Sequence, residues 1–398
     1  MNQKQTRVAV VVGTRPEAIK LAPVVLSLRE SGTAECLLIS TGQHREMLIQ
    51  ALADFGLMAD VDLNVMRNNQ TLGGLTSRLV SEMDDLLHRL SPEWVLVQGD
   101  TTTAFASALC AFYRMIKVGH VEAGLRSGDM YAPFPEEFNR RAIMLAASLH
   151  FAPTAVAAKN LLAEGVPEAS IEITGNTGID ALLKMAEIIS ADPPALAQGL
   201  ETFLQRYPQC YLVTAHRRES FGDGFIGICH AIRQLSDENP HVGCIFPVHL
   251  NPRVREVVLP RLAGLRNVFL TQPQDYKTFV YLMKASSFLL TDSGGIQEEA
   301  PGLGKPVLVL RDVTERPEGI KAGCAKLVGT LPAAIVAEAN KLLTDQSSYQ
   351  AMVSANNPYG DGDASTRIVR AVLKHSQEFA KQFDIAMGTD ENSKGEGK

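Results

Sequence analysis

The sequence predicts an α/β protein with two doubly wound, Rossmann-like domains, each built on a parallel sheet. Short apolar runs rich in β-branched residues alternate with segments of helical periodicity, which is the pattern of strands buried on both faces and joined by helical crossovers. The alternation occurs twice. Between the two sets lies the segment 188–199, whose adjacent prolines and small residues are typical of a linker.

The first domain is predicted over residues 7–185 and the second over residues 195–364. The strands of the first are predicted at 8–12, 36–40, 94–98, 117–122, 149–153 and 171–174. Those of the second are predicted at 210–214, 243–248, 267–271, 287–292 and 305–310. A last amphipathic helix is predicted at 365–384, and the polar tail 385–398 has the composition of a disordered segment.

Composition and charge exclude several classes of function. With 45% hydrophobic and 21% charged residues and a formal net charge of −6, the chain has the character of a soluble globular protein rather than a nucleic-acid-binding one. No apolar run reaches the length of a membrane span, and the apolar run near residue 8 is too short for a signal peptide, so we expect a cytoplasmic protein. The six cysteines are scattered without a C-x-x-C pair, so we predict no disulfide framework and no metal site.

Polar segments follow the predicted strands almost everywhere. Because ligands of such sheets bind beyond the carboxyl ends of the strands, these segments predict the active site. They are GTRPE, TGQHRE, QGDTTT and EAGLRS in the first domain, and TAHRRES, PVHLNP, TQPQDY, TDSGGIQEE and RDVTERPEG in the second.

The segment GTRPEAIK, at residues 13–20, predicts an anion-binding turn between a strand and a helix. Pro16 suits the first helical position because it needs no hydrogen bond there, and Gly13 permits a tight turn. Free amides at the helix start would then bind an anion, with Arg15 and Lys20 adding positive charge.

The segment DSGGIQEEA predicts a second anion-binding site by the same reasoning. Ser293, Gly294 and Gly295 would present a hydroxyl and backbone amides to a diphosphate. Glu298 or Glu299, one turn later, would accept hydrogen bonds from ribose hydroxyls. The alternative is an ordinary helix cap formed by the first residues of the segment, Asp292 or Ser293.

Two other glycine motifs are weaker. GDGFIG, at residues 222–227, matches G-x-G-x-x-G but lies several residues beyond its strand, and no acid ends the following strand, so we interpret it as a glycine loop. GLGKP lacks the spacing of a Walker motif and the Ser or Thr after its lysine, so ATP hydrolysis is not indicated.

Several blocks together resemble the non-hydrolysing UDP-N-acetylglucosamine 2-epimerases of bacteria. They are GTRPEAIK, QGDTTT, HVEAGLRS, PFPEEFNRR, GNTGID, TAHRRE and DSGGIQEEAPGLGKPVLVLRDVTERPEG, in this order over nearly the whole chain. The resemblance implies the GT-B fold, with two domains facing across a cleft, and a last helix that packs back on the first domain. It also implies a homodimer that interconverts UDP-GlcNAc and UDP-ManNAc for cell-envelope polysaccharide, without a cofactor.

The chemistry of that reaction sets requirements for the site. The hydrogen on sugar C2 has no adjacent carbonyl, so direct removal by a side-chain base would be very slow. Departure of UDP from C1 acidifies C2, and loss of its proton gives a 2-acetamidoglucal. Protonation from the opposite face and return of UDP invert C2. The site therefore needs two acid/base groups on opposite faces, with cations and amides for the diphosphate.

The resemblance assigns catalytic roles to Asp100, Glu122, Glu136 and His216. Ordinary alternatives exist for each type: a carboxylate at a strand end often caps a helix, Glu136 beside Glu137 fits a solvated surface pair, and a histidine is often simply packed. The face of C2 that each group serves stays open. The resemblance also implies UDP contacts by Arg15, Lys20, Gln274, Phe279, Ser293, Gly294, Gly295, Glu299 and Arg316.

Two further segments resemble a region in which a second UDP-GlcNAc activates some members of the family. Gln43, His44 and His249 would then be allosteric contacts. Three other functions compete with the epimerase: a GT-B glycosyltransferase, an epimerase of a modified UDP-sugar such as a 2,3-diacetamido uronate, and a non-enzymatic nucleotide-sugar sensor.

Overall fold

The computed structural model describes residues 5–42, 45–67, 70–217 and 221–386, with side chains at all these positions except 45 and 378–386. Over these residues the chain divides into two compact units. Unit 1 extends to Ala181 and resumes at Gly362, and unit 2 comprises Leu182–Asp361. Both units are parallel sheets with helical crossovers, which confirms the predicted fold class of two doubly wound α/β domains.

Unit 1 contains a seven-stranded parallel sheet. Its strands are β1 (Thr6–Val12), β2 (Ala34–Ser40), β3 (Val61–Asp62), β4 (Trp94–Gln98), β5 (Lys117–Val121), β6 (Leu149–Ala152) and β7 (Ile171–Ile173). The helices between them are α1 (Arg15–Glu30), α2 (Arg45–Ala53), α3 (Leu72–Leu90), α4 (Thr102–Tyr113), α5 (Glu136–Ala146) and α6 (Ala155–Ala163), and α7 (Thr177–Ala191) follows β7. The strand order is β3-β2-β1-β4-β5-β6-β7.

Unit 2 contains a six-stranded parallel sheet. Its strands are β8 (Cys210–Thr214), β9 (Gly243–Pro247), β10 (Val268–Thr271), β11 (Phe288–Thr291), β12 (Val307–Val309) and β13 (Ala325–Leu327). Its helices are α8 (Leu200–Arg206), α9 (Asp223–Glu238), α10 (Pro252–Leu262), α11 (Tyr276–Ala285), α12 (Gly294–Gly302), α13 (Pro317–Ala322), α14 (Pro332–Thr344) and α15 (Gln346–Val353). The strand order is β10-β9-β8-β11-β12-β13.

The strand order reverses at one point in each sheet. In unit 1 the reversal lies between β1 and β4, and in unit 2 it lies between β8 and β11. Loops that leave neighbouring strands in opposite directions open a crevice at such a point, and this is where ligands of open α/β sheets bind. The fold therefore places the segments after β1 and β4 together, and likewise those after β8 and β11.

The last helix, α16 (Ala364–Ala386), belongs to unit 1 and packs against α1. Its Ser376 hydroxyl accepts a hydrogen bond of 2.8 Å from the indole Nε1 of Trp94, which is almost completely buried at the start of β4. A buried indole needs such a partner for its N–H, so this bond connects α16 to the centre of the sheet. Among the described helices, none combines the length and apolar character needed to cross a membrane.

The observed elements differ from the predicted ones in several places. The strands β3 and β13 were not predicted, because two or three residues at a sheet edge carry too little periodicity to be detected. The predicted linker 188–199 is helical up to Ala191, since Ile189 continues the buried face of α7 and the first proline comes at 193. Residues 223–227 begin α9 rather than forming a glycine loop. Helix α16 ends two residues beyond 384, and the remaining predicted tail, 387–398, lies outside the described residues.

Candidate active site

Glu122 follows the last residue of β5 and has a left-handed backbone, with φ of 64°. This conformation is uncommon for a residue with a long side chain and costs about 1–3 kcal/mol. The Glu122 carboxylate accepts a hydrogen bond of 2.6 Å from Lys20 Nζ and another from the Gln98 amide. Only 11% of the Glu122 side chain is exposed. Lys20, one of the predicted UDP contacts, therefore lies against a predicted acid/base group.

Asp100 lies in the turn between β4 and α4. Its carboxylate pairs with Arg140, and its carbonyl accepts a hydrogen bond of 2.8 Å from the Asn139 side chain. Burial raises the pKa of Asp100, Arg140 opposes the rise, and the negative charges of Glu122 and Glu136 add to it. The three carboxylates predicted to be catalytic in the first domain are therefore close enough to interact electrostatically.

Glu137 anchors the start of α5 and is completely buried. It accepts a hydrogen bond of 3.1 Å from the Ser127 amide and forms ion pairs of 3.2 and 3.0 Å with Arg140 and Arg141. The alternative of a solvated Glu136–Glu137 surface pair is therefore wrong. Glu136 itself is half-buried at the first position of α5, beside this anchored network.

The turn between β1 and α1 differs from the predicted anion-binding site. The amides of Gly13 and Thr14 donate to Glu17 Oε2 at 3.0 and 2.7 Å, and the Thr101 hydroxyl donates to Glu17 Oε1 at 2.6 Å. Burial raises the pKa of Glu17, although these hydrogen bonds oppose the rise. The prediction that this turn offers free amides is wrong for Gly13 and Thr14, because a glutamate three residues into the helix satisfies them.

Gly13 is required at this turn by close packing. A Cβ atom there would lie 2.2 Å from Thr103 Oγ1 and 2.6 Å from Thr41 Oγ1. These two hydroxyls are buried and 3.0 Å apart, so they form a hydrogen bond directly over the glycine.

We expect Gly13→Ala to lower the free energy of unfolding by about 1–3 kcal/mol, because the two buried hydroxyls must move apart. Urea unfolding measures this. The matched control is Gly73→Ala in the first turn of α3, where a Cβ meets no atom within 4 Å and alanine favours the helix. If both variants are as stable as the unaltered protein, the packing argument is wrong.

In unit 2, His216 follows β8 and lies beside Asp292, which follows β11. Asp292 is completely buried, and its Oδ2 accepts hydrogen bonds of 2.8 and 2.7 Å from the amides of His216 and Arg217. Its Oδ1 lies 3.4 Å from His216 Nδ1. Asp292 does not cap α12, so the helix-cap alternative is wrong for this residue.

Two guanidinium groups converge on the start of α12. A Cβ at Gly294 would lie 3.7 Å from Arg217 Nη2 and 3.8 Å from the guanidinium carbon of Arg316. Arg316 pairs with Glu298, and Arg217 pairs with Glu315 at 3.2 Å. The Ser293 amide donates to Thr291 Oγ1, and the Ser293 side chain makes no capping bond. The start of α12 therefore joins a helix N-terminus with two cations, which is an arrangement that suits a diphosphate.

The remaining predicted residues of unit 2 lie on the same edge of its sheet. Gln274 follows β10 and its side chain donates to Thr271 Oγ1 at 3.2 Å, and half-buried Phe279 lies on α11. The exposed His249 follows β9 and stacks on His216, with ring centroids 5.7 Å apart. Glu299 lies on α12, whereas Glu298 is already paired with Arg316. Gln43 and His44 lie outside the described residues.

Comparison with known proteins identifies the family. A sequence model described as UDP-N-acetylglucosamine 2-epimerase matches residues 26–373. The UDP-N-acetylglucosamine 2-epimerase of Escherichia coli is 50% identical over 369 residues, which cover 92% of this chain and 98% of that protein. This chain belongs to the UDP-N-acetylglucosamine 2-epimerase family. The predicted family is confirmed, and so is the predicted enzyme class, since an epimerase is an isomerase.

Solved structures extend the similarity of this epimerase-family chain to three dimensions. A UDP-N-acetylglucosamine 2-epimerase from Listeria monocytogenes, named as putative, is 43% identical with a TM-score of 0.87, covering 94% of this chain and 98% of that one. The UDP-GlcNAc 2-epimerase from Neisseria meningitidis, solved bound to UDP-GlcNAc, is 46% identical with a TM-score of 0.80, covering 93% of this chain and all of that one.

The sequence interpretation missed the contacts that three residues make with predicted catalytic residues, two in unit 1 and one in unit 2. The three residues are Gln98, Arg140 and Asp292, which contact Glu122, Asp100 and His216. For Glu17 a signal was present, since Thr14 and Glu17 form the T-x-x-E spacing of a capping box. For the others, only the strand order brings the partners together.

Proposed function

We propose that this chain interconverts UDP-GlcNAc and UDP-ManNAc by inverting C2 of the sugar. The observation that carries the proposal is the grouping in unit 1 of Asp100 after β4, Glu122 after β5 and Glu136 at the start of α5. Family membership supports the substrate, because relatives of similar length are named as epimerases of UDP-N-acetylglucosamine.

The proposed reaction begins with cleavage of the bond between C1 and the bridging oxygen. The bonding electrons leave with UDP, and C1 gains oxocarbenium character. A base then takes the C2 proton, and the electrons of that C–H bond form the C1=C2 double bond of 2-acetamidoglucal. Delivery of a proton to the opposite face of C2 and return of UDP to C1 complete the inversion. Each step conserves charge and needs no external oxidant.

The carboxylates of unit 1 are proposed as the groups that exchange protons at C2. A carboxyl group with a raised pKa retains its proton closer to neutral pH, as a general acid must. Burial gives Asp100 this property, whereas Lys20 places a positive charge against the Glu122 carboxylate. Two carboxyl groups with different surroundings are thus available for opposite faces of C2, with Glu136 beside them.

The start of α12 is proposed to hold the diphosphate. The amides of Gly294 and Gly295, the Ser293 hydroxyl and the Arg316 guanidinium would bind phosphate oxygens. Family resemblance alone supports Arg15 as a further contact to UDP. Gln274 and Phe279 would contact the uracil, and Glu299 the ribose. His216, beside the start of α12, would exchange a proton with the departing or returning UDP.

The wider role is also proposed. Family resemblance supports a cytoplasmic homodimer that supplies ManNAc-type sugars for cell-envelope polysaccharide. An activating second UDP-GlcNAc would contact His249, and the stacking of His249 on His216 supports a link to the reaction. Rates measured against UDP-GlcNAc concentration test this activation: we expect a sigmoidal curve, and a hyperbolic curve with full turnover of UDP-ManNAc alone would contradict it.

Proton NMR of UDP-GlcNAc with the enzyme in deuterium oxide tests the proposed function. We expect UDP-ManNAc to form without any acceptor substrate, with deuterium at C2 of both epimers. Epimer formation without deuterium would contradict proton exchange at C2. Sugar transfer that requires an acceptor would instead indicate a glycosyltransferase.

We expect Arg316→Met to weaken UDP binding by about 10- to 100-fold, because a charge-assisted hydrogen bond contributes about 1.5–3 kcal/mol. Isothermal titration with UDP measures this. The control Arg233→Met changes an exposed arginine of α9. A double variant, Arg316→Met with Glu298→Gln, also removes the charge of the carboxylate that pairs with Arg316, and it should regain stability but not affinity. Unchanged affinity in Arg316→Met would exclude Arg316 from the diphosphate site.

A further inference from the structure

The fully buried carboxylate of Asp292 lies between two loops of unit 2. One of its oxygens, Oδ2, is fixed by the amides of His216 and Arg217 at 2.8 and 2.7 Å. The other, Oδ1, is buried without a hydrogen-bond partner among the described residues, and His216 Nδ1 lies 3.4 Å from it. A buried carboxylate oxygen without a partner is costly, so its purpose needs an explanation.

We propose that Asp292 is a positioning residue that fixes the ring orientation and tautomer of His216, so that His216 carries its proton on Nδ1 and presents Nε2 to the substrate. This proposal rests on the proposed function, because it assigns to His216 a part in the epimerase reaction.

The geometry supports this role in two ways. The two hydrogen bonds from backbone amides hold Oδ2 against the loop that carries His216, so the carboxylate cannot rotate away from the ring. The free oxygen lies 3.4 Å from Nδ1, so a proton on Nδ1 would be attracted to it, whereas the lone pair of an unprotonated nitrogen would be repelled. Hydrogen bonds of this kind are often long in a ligand-free site and shorten when the substrate binds. The same logic orients the histidine of catalytic triads.

Among the residues that the structure describes, three charged or titratable groups face His216 from the elements around it. They are Asp292 after β11, Arg217 on the same loop and His249 after β9. Burial lowers the pKa of His216, Asp292 opposes this, and His249 and Arg217 lower it further. Removing the charge of Asp292 should therefore lower the pKa of His216 still more.

The isosteric variant Asp292→Asn tests the proposal. The asparagine side-chain oxygen can still accept the two hydrogen bonds from the backbone amides. The NH₂ group of the asparagine then lies toward Nδ1 and favours the tautomer with the proton on Nε2. We expect kcat to fall at least about tenfold while KM stays within about threefold. The limb of the pH–rate profile that reports His216 should move to lower pH. The control Asp237→Asn, an exposed change on α9, should alter neither.

A second readout does not depend on activity. In ¹⁵N-labelled protein, the ring resonances of His216 are those that disappear in His216→Asn. Their ¹⁵N chemical shifts report the tautomer and the pKa of the ring. We expect Nδ1–H in the unaltered protein and Nε2–H with a lower pKa in Asp292→Asn, with UDP affinity retained as the check on folding.

If the unaltered protein has Nε2–H, or if Asp292→Asn keeps both the tautomer and kcat, the proposal is overturned. Should the variant fail to fold, the tautomer of the unaltered protein decides. Absence of epimerisation by the unaltered protein would refute the proposed function but leave the tautomer measurement intact.

Discussion

Replacing Glu122 by glutamine is expected to lower kcat for epimerisation by about 10²- to 10⁴-fold, the range for loss of a general acid or base. The reason is that Glu122 is proposed to exchange a proton on one face of C2. The group on the other face is unaltered, so it can still remove a proton and return a deuteron to the same face. We therefore expect deuterium to enter C2 of one epimer much faster than that epimer is inverted.

Two controls separate this role from a structural one. Glu172→Gln makes the same change at an exposed position of the edge strand β7 and should leave activity unaltered. Lys20→Met removes the cation that pairs with Glu122 but keeps the carboxylate, so its effect on stability shows what loss of the Lys20 charge does while Glu122 stays in place. If Glu122→Gln is no less active than Glu172→Gln, Glu122 does not act at C2.

The variant Asp100→Asn is expected to lower kcat by a similar factor, about 10²- to 10⁴-fold, but with the opposite pattern of exchange. If Glu122 and Asp100 serve opposite faces, each variant retains deuterium uptake at C2 of only one epimer. That epimer differs between the two variants. ¹H NMR in deuterium oxide, started separately from UDP-GlcNAc and UDP-ManNAc, measures all four exchange rates.

This comparison also assigns the faces of C2. Retained exchange in UDP-GlcNAc identifies the remaining group as the one that faces its C2 hydrogen. A matched control is Asp129→Asn, which changes an exposed aspartate in the loop before α5. Two variants that retain exchange in the same epimer would contradict a reaction with Asp100 and Glu122 on opposite faces, and Glu136 would then be the second group to replace.

Much of the fold was predictable because a strand buried on both faces reads as a continuous apolar run. Every residue of β4 is buried, and its sequence, WVLVQ, shows this directly. Edge strands carry no such signal, and β3 and β13 were missed for that reason. The end of α7 was also misplaced, because small residues and isoleucines suit a helix as well as a linker, and only the first proline stops it.

The candidate site was predictable in its positions but not in its contacts. The sequence places Asp100 and Glu122 just after strands of unit 1 and His216 just after a strand of unit 2, and each parallel sheet brings such positions to its own carboxyl edge. The partners lie far away in the chain: Arg140 is 40 residues from Asp100, and Asp292 is 76 residues from His216. Their pairing depends on strand order, which local patterns do not determine. The turn between β1 and α1 was misjudged for a different reason, since it was expected to bind a ligand anion and instead binds the carboxylate of Glu17.

Cleavage of the bond between C1 and the bridging oxygen is the central claim of the proposed reaction. The most direct test uses UDP-GlcNAc with ¹⁸O in the position that joins C1 to the β-phosphate. Once UDP has left, its β-phosphate oxygens become equivalent by rotation, so we predict that the label appears in the non-bridging positions of recovered substrate and product. If C2 inverts fully while all of the ¹⁸O stays in the bridge, elimination of UDP is contradicted.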